Sequence, residues 1–255
     1  LVGTTESLQG AISNNGTVRF DQSSDGIYAG LMSGSGDLRK SGSGKVLLSG
    51  ASTHSGGTIL NAGSIEVASG SALGDGAVTL NGGELLIRSK SEMQANLGFA
   101  GDLNWSGGVI AFYDAGLSPE SNDLKIEVGG NFLSGGNGGL FDFSQVEALD
   151  AGTYTLIGYS GMTDFQEANF SSSAGFGTTL NGTFSIENGL VIFNVVGSNS
   201  SGTDIQNNGG VNTPVVSDYT IDREVKTINQ NNTINSLIFK DEGNLAVESL
   251  SLIHI

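Results

Sequence analysis

The sequence contains no cysteine and only two prolines among its 255 residues. Without cysteine the chain has neither disulfide bonds nor thiolate zinc sites. Ten residues are lysine or arginine and 26 are aspartate or glutamate, which gives a net charge of −16. Nucleic acids and anionic membrane surfaces are bound through basic patches, so the composition argues against both as partners. The sequence also lacks a run of about 20 apolar residues, so we expect no direct membrane insertion of this segment.

Glycine is abundant, with 41 residues, and it follows no collagen-like period. Such a composition is typical of a chain with many turns. Hydrophobic residues make up 37% of the chain and charged residues only 14%, so the chain has enough apolar surface to fold. The apolar residues occur in short, strand-like runs, and no long amphipathic helix is visible.

The most regular stretch lies between Gly42 and Leu85, where short apolar runs alternate with polar residues and are separated by glycine pairs or Gly/Asn steps. Alternation of this kind predicts strands with one buried face. The side chains predicted to face inward are those of Val46, Leu48, Ile59, Ile65, Val67, Val78, Leu80 and Leu85. Each run is too short to bury its face alone, which predicts that successive coils stack into a solenoid.

Two all-β folds fit short strands with glycine turns, a β-sandwich and a parallel β-helix. The steps from Leu38 to Ile59 and on to Val78 are each about 20 residues, a length that suits one coil of a β-solenoid. The turns are also more uniform than the loops of a sandwich. We therefore predict an all-β fold, a right-handed parallel β-helix (β-solenoid), and keep the sandwich as the alternative.

The same stretch carries a family resemblance. Its elements are Gly42-Ser43-Gly44, Leu48-Ser49-Gly50, Ser55-Gly56-Gly57-Thr58, Asn61-Ala62-Gly63-Ser64-Ile65, Leu73-Gly74-Asp75-Gly76-Ala77-Val78 and Gly82-Gly83-Glu84-Leu85. Together they resemble the passenger-associated transport repeat of bacterial autotransporters, also called the autotransporter-associated β-strand repeat. Where the family usually has tyrosine, this chain has His54. We expect the histidine to cover a turn there.

The resemblance implies a non-catalytic passenger segment, secreted or displayed at the bacterial cell surface on the outer membrane. It implies that the β-helix is a scaffold that assists export, and that an outer-membrane barrel lies elsewhere in the full-length protein. The lack of cysteine fits such a passenger, because a disulfide formed in the periplasm would hinder passage through a narrow pore.

The pattern divides the chain into five segments. Residues 1–98 form the β-helix with the transport repeat, whose core is 42–85. Residues 99–196 continue the solenoid or form a capping β region, because Gly107-Gly108 before an apolar run repeats the arrangement of Gly56-Gly57. A flexible linker at 197–217 and the start of a further passenger segment at 218–249 follow. Residues 250–255 match what a common sequencing adapter would encode, and we interpret them as an artefact.

Two other functions fit particular residues. A surface adhesin or glycan-binding passenger would contact a host surface or a glycan through an exposed loop containing Tyr113, Asp114, Glu120 and Asp123. A β-helical polysaccharide-degrading enzyme would use paired carboxylates about 5 to 10 Å apart, and the acidic residues of that loop are the candidates. A solvated loop explains the same residues without any chemistry.

His54 and Ser55 are adjacent in sequence, but neighbours in sequence rarely adopt the geometry of a catalytic pair, and no orienting acid is evident. We expect no catalytic, cofactor-binding or metal-binding residues.

Overall fold

The computed structural model describes residues 1–88, 93, 95–113, 125–146, 149, 151–173 and 182–196, and the backbone of 219–221 and 237–239. The chain forms two compact units, Leu1–Asn199 and Ser200–Ile255. The predicted linker at 197–217 and the terminal residues 250–255 lie outside the described residues.

The described elements are almost all β-strands, apart from a short 3-10 turn at Glu167–Asn169. The strands are β1 (Val2–Gly3), β2 (Ile12–Ser13), β3 (Thr17–Asp21), β4 (Gly26–Tyr28), β5 (Met32–Ser33), β6 (Asp37–Ser41), β7 (Lys45–Leu48), β8 (Thr58–Leu60), β9 (Ser64–Val67), β10 (Val78–Ile87), β11 (Leu97–Phe99), β12 (Leu103–Tyr113), β13 (Ile126–Val128), β14 (Phe132–Leu133), β15 (Gly139–Gln145), β16 (Gly152–Tyr159), β17 (Phe170–Ser173), β18 (Gly182–Glu187), β19 (Leu190–Val195), β20 (Tyr219–Ile221) and β21 (Leu237–Phe239).

In the first unit, each coil of the chain contributes one segment to each of three sides. The first side stacks β1, β3, β6, β8, the first halves of β10 and β12, and β14. The second side stacks β4, β7, β9, the second halves of β10 and β12, β15 and β17. The third side carries β2 and β5 in the early coils and β11, β13 and β16 in the later ones. Every described pairing among β1–β17 is parallel, which confirms the predicted parallel β-helix and excludes the sandwich.

On the first side, the register between coils is a constant 20 residues from β3 to β10. Val18 pairs with Leu38, Leu38 with Thr58, and Thr58 with Val78. Side chains 20 residues apart also hydrogen-bond across coils, as Asn81 does to Asn61 at 3.0 Å. The constant register also lets the backbone N–H and C=O groups of one coil form hydrogen bonds with those of the neighbouring coils.

One residue that the sequence predicts to face inward, Ile59, faces outward. In β8 the buried residues are Thr58 and Leu60, whereas Ile59 between them is only partly buried. Ile59 was predicted to face inward, and that prediction is wrong. Thr58 and Leu60 are each paired with inward-facing residues of β10, Val78 and Leu80, and the two-residue period of a strand therefore places Ile59 outside. The other seven predicted inward residues are buried.

Two corners between the first and second sides have glycine in a left-handed conformation. β10 turns its corner at Gly83, where φ is +72°, and β12 does so at Gly108, where φ is +81°. A Cβ at Gly83 would collide with the carbonyl oxygen of Gly63 on the neighbouring coil. Gly107-Gly108 is thus equivalent to the corner at Gly82-Gly83, and not to Gly56-Gly57 as its sequence context suggests.

The core changes in character along the coils. Early coils stack mainly aliphatic side chains, whereas later coils bring aromatic rings together around Trp105, which is fully buried. The rings of this cluster are those of Trp105, Phe132, Phe141, Phe165 and Phe170. On the third side the parallel order ends at β16, because β19 pairs antiparallel with both β16 and β18.

The second unit contains one described strand pair, β20 with β21. The two strands are parallel, and Tyr219 is in register with Leu237.

Candidate functional site

Strands β6 to β9, which overlap the stretch that resembles the transport repeat, and the turns between them bury three polar side chains that can carry a charge. Lys40 is 1% exposed. It occupies the inward-facing position that Phe20 holds in the coil before and Leu60 in the coil after. Its Nζ donates to the carbonyl oxygens of Ser41 at 2.6 Å and Gly42 at 2.8 Å. A third bond, to Ala62 O at 3.3 Å, crosses to the next coil. The buried ammonium therefore ties two successive corners together.

Burial lowers the pKa of Lys40, and the negative charges of Asp21 and Asp25 offset part of that shift. The cation is held by carbonyl dipoles, because a buried charge is tolerated only with hydrogen-bond partners.

His54 is fully buried in the connection between β7 and β8. Its Nε2 lies 3.2 Å from the hydroxyl of Thr58, and that hydroxyl donates to Leu73 O at 2.8 Å. Because the hydroxyl proton is used in this way, the imidazole must donate from Nε2, which leaves Nδ1 buried and without a partner. Gly74 packs directly on the ring, and a Cβ there would lie 2.6 Å from Nδ1. Ser55 is exposed, so the structure does not bring the two residues together as a catalytic pair.

Glu66 is the third buried charge, 2% exposed on the outer side of β9. Its carboxylate forms ion pairs with Lys45 Nζ at 2.6 Å and with Arg88 Nε at 2.5 Å. These three residues, which we call the ion cluster, come from three successive coils. Burial raises the pKa of Glu66, but the hydrogen bonds from Lys45 and Arg88 outweigh it, and the net pKa lies below its usual value.

Arg88 of the ion cluster also contacts Tyr113, the one member of the predicted ligand-contact loop that the structure describes. Tyr113 ends β12, is 41% exposed, and its ring centre lies 5.8 Å from the Arg88 guanidinium carbon. The neighbours predicted to act with it, Asp114, Glu120 and Asp123, lie outside the described residues, so the predicted loop stays a prediction. Arg88 was missed because it is 25 residues from Tyr113, and only the pairing of Ile87 with Phe112 aligns them.

Two kinds of feature are absent from the described part of the chain. Among those residues, no helix has the length and apolar character needed to cross a lipid bilayer. No group of three or more histidine, aspartate or glutamate side chains there is arranged to hold a metal ion.

Comparison with known proteins identifies one segment. No curated protein and no solved structure matches the chain. The family model of the passenger-associated-transport-repeat matches residues 38–67, which are β6 to β9 with their connecting turns. The segment that holds Lys40, His54 and Glu66 is therefore a passenger-associated transport repeat, as found in autotransporter passengers.

Proposed function

We propose that the chain is a non-catalytic structural segment of an autotransporter-type passenger, secreted or displayed at the bacterial cell surface, and that its β-helix assists export. The coils would fold one on another as they emerge outside the outer membrane. Each coil that stacks favours the emergence of the next, because a folded coil cannot slide back through a narrow pore.

The observation that carries this proposal is the register between coils. The backbone of each early coil bonds to its neighbours, for example Asp37 N to Gly16 O at 2.8 Å and Leu38 N to Gly57 O at 2.9 Å. A repeat of this kind is stabilised mainly by the interface with adjacent repeats. A coil that has just emerged thus finds its partners on the coil already folded.

The test compares two deletions in the chain displayed through an autotransporter barrel in a Gram-negative host. Deleting residues 38–57 removes one full coil and joins Asp37 to Thr58, which is the natural successor in register. Deleting residues 38–47 removes about half a coil and puts the following strands on the wrong side.

We expect the full-coil deletion to reach the surface within about twofold of the wild type, and the half-coil deletion to fall about tenfold or more. The readout is the fraction of passenger cleaved by protease added to intact cells, with barrel insertion measured in parallel. Equal surface yields for the two deletions would show that export does not depend on coil stacking.

A further inference from the structure

The turn that joins β18 to β19 contains an asparagine followed by a glycine. Glu187 is paired with Leu190, so Asn188 and Gly189 are the two residues of the turn. Their φ angles are +51° and +79°, the left-handed values that a two-residue hairpin turn of type I′ requires. Asn188 is exposed, and its side chain has no hydrogen-bond partner among the described residues. The side-chain amide at this hairpin tip can therefore change its rotamer without breaking a contact.

An asparagine that precedes glycine can react with its own backbone. The Gly189 nitrogen would attack Cγ of Asn188 and form a new C–N bond. The side-chain nitrogen would leave as ammonia, taking with it the proton of the Gly189 N–H. Water then opens the resulting cyclic imide at either of its carbonyl groups, which yields aspartate or isoaspartate. The reaction needs no oxidant, reductant or cofactor, and glycine leaves the attacking nitrogen uncrowded because it has no side chain.

The attack requires the peptide plane between Asn188 and Gly189 to rotate. Glycine accepts φ angles of either sign, so this plane can turn without strain at Gly189. The turn is held to the neighbouring strand by a bond from Tyr159 N to Gly189 O at 2.8 Å. That carbonyl lies on the far side of Gly189 from the rotating plane. The rotation therefore leaves the bond to β16 in place.

The first of the other Asn-Gly pairs, Asn15-Gly16, is held on both sides of the reaction. Asn15 Oδ1 accepts bonds from the backbone N and the hydroxyl of Ser35, at 3.2 and 3.3 Å. The Gly16 N–H, which would have to attack, donates to Asn14 Oδ1 at 3.1 Å. The amide and the attacking nitrogen are thus both engaged.

Two further Asn-Gly pairs are tied to adjacent coils. Asn81 Nδ2 donates to Asn61 Oδ1 at 3.0 Å, and Asn81 Oδ1 accepts from Ser106 Oγ at 3.1 Å. Asn137 Nδ2 donates to Ser106 O at 2.6 Å. A reactive rotamer at either residue would break a contact between coils. We call Asn15, Asn81 and Asn137 the held asparagines.

Isoaspartate at the hairpin tip would change the end of the stack. Its main chain runs through Cβ, so the turn would gain one backbone atom directly before Gly189. The Gly189 carbonyl oxygen would then be displaced from Tyr159 N, the bond that joins the turn to β16. The reaction also replaces a neutral amide with a carboxylate next to Glu187, which adds a repulsion between like charges.

We propose that Asn188 is a site of spontaneous modification, at which deamidation to isoaspartate loosens the hairpin of β18 and β19. The inference is independent of the proposed export role, since it concerns only the folded hairpin.

The first experiment ages the full chain in mildly alkaline buffer at body temperature and maps its peptides by mass spectrometry. Isoaspartate is identified with protein isoaspartyl methyltransferase. We expect Asn188 to react about tenfold or more faster than each of the held asparagines, because a hairpin tip opens more easily than stacked coils. In urea the structural difference is lost, and the four sites should react at rates within about threefold of one another. Asn181 and Asn208 also precede glycine but lie outside the described residues, so they are not used in the comparison.

The second experiment measures amide hydrogen exchange in aged and fresh protein by NMR. We expect the Tyr159 N–H to exchange about tenfold or more faster after ageing, since its acceptor is displaced. The neighbouring Ser160 N–H donates to Val128 O at 3.1 Å and does not depend on the turn, so its exchange should stay within about twofold.

Asn188→Gly is the matched variant, because glycine adopts the same φ and has no amide to react. We expect it to keep the protection of Tyr159 N–H through the same ageing. Four results would overturn the proposal. They are no product at Asn188 in the folded chain, an equal rate at any held asparagine, unchanged Tyr159 exchange once Asn188 has reacted, and an equal loss of protection in aged Asn188→Gly.

Discussion

The three buried charged or titratable residues of the transport repeat are stabilised in different ways. Lys40 donates to three carbonyl oxygens, and Glu66 is paired with two cations. His54 is hydrogen-bonded to the Thr58 hydroxyl and has a buried Nδ1 without a partner. Burial lowers the pKa of His54, and Gly57, Asp75 and Asp37 offset only part of the shift. The lowered pKa makes the imidazole neutral at pH 7 in the folded protein, and a proton added at the buried Nδ1 would lack a hydrogen-bond partner.

This makes His54 a source of acid sensitivity. In the unfolded chain the imidazole takes up a proton below its ordinary pKa of 6.5, whereas in the folded protein it does so only at lower pH. The unfolded state binds more protons in that range, so stability is retained above pH 6.5 and falls as the pH drops below it. We expect a loss of up to about 1.4 kcal/mol per pH unit, measured by urea unfolding from about pH 7.5 to about pH 5.5.

Two variants identify the origin of that slope. His54→Leu cannot take up a proton, so the loss of stability between those pH values should flatten. His254→Gln removes the other histidine of the chain and should retain the wild-type slope. A slope that survives in His54→Leu would show that other groups cause the acid sensitivity.

At the scale of single elements, strand β8 shows what alternation leaves open. The three residues Thr58, Ile59 and Leu60 contain two large apolar side chains next to each other, so the local pattern fits either direction. The direction is set by the stack, since Leu60 pairs with Lys40 and Leu80, which both face inward. The buried Thr58 hydroxyl is acceptable there because it bonds to Leu73 O and to His54.

The two neighbours in β8 should therefore differ in what they contribute to stability. Leu60 is 1% exposed, and Leu60→Ala leaves a cavity between two coils that we expect to cost about 2 to 4 kcal/mol. Ile59→Ala is the matched control and should cost less than about 1 kcal/mol, because the side chain already contacts solvent. Urea unfolding at pH 7.5 measures both, and equal costs would contradict the register described above.

At the scale of the first unit, the stack ends by a change of strand direction. A parallel solenoid exposes unpaired backbone groups at its last coil, and such edges promote association. Here the antiparallel strand β19 covers β16, and β18 covers β19. The outermost strand is itself partly blocked, because Ile186 N donates to Glu167 Oε1 at 3.2 Å.

Removing this hairpin should convert the end of the stack into an adhesive edge. A chain ending at residue 173 keeps β16 and lacks β18 and β19, whereas a chain ending at residue 199 keeps both. We expect the shorter chain to form oligomers whose size rises with concentration, and the longer one to do so much less. Size-exclusion chromatography with light scattering measures this, and identical behaviour of the two chains would refute a capping role.

Part of the candidate site could be read from the sequence, and part could not. The transport repeat was recognisable because its glycines mark corners that only glycine can occupy, such as Gly83. The environment of His54 was not, since its burial depends on Gly74 and Leu73 of the next coil. The contact of Arg88 with Tyr113 likewise joins residues of different coils.

The sequence by itself determined that this protein coils into parallel strands. Runs too short to be stable alone, repeated at a constant spacing with glycine at the corners, leave stacking as the way to bury their apolar face. Only the tertiary structure decided which residue of an ambiguous run faces inward, where the aromatic core begins and how the stack ends. The physical reason is that these features depend on contacts between coils, whose paired residues are 17 or more positions apart and are set by register and not by local pattern.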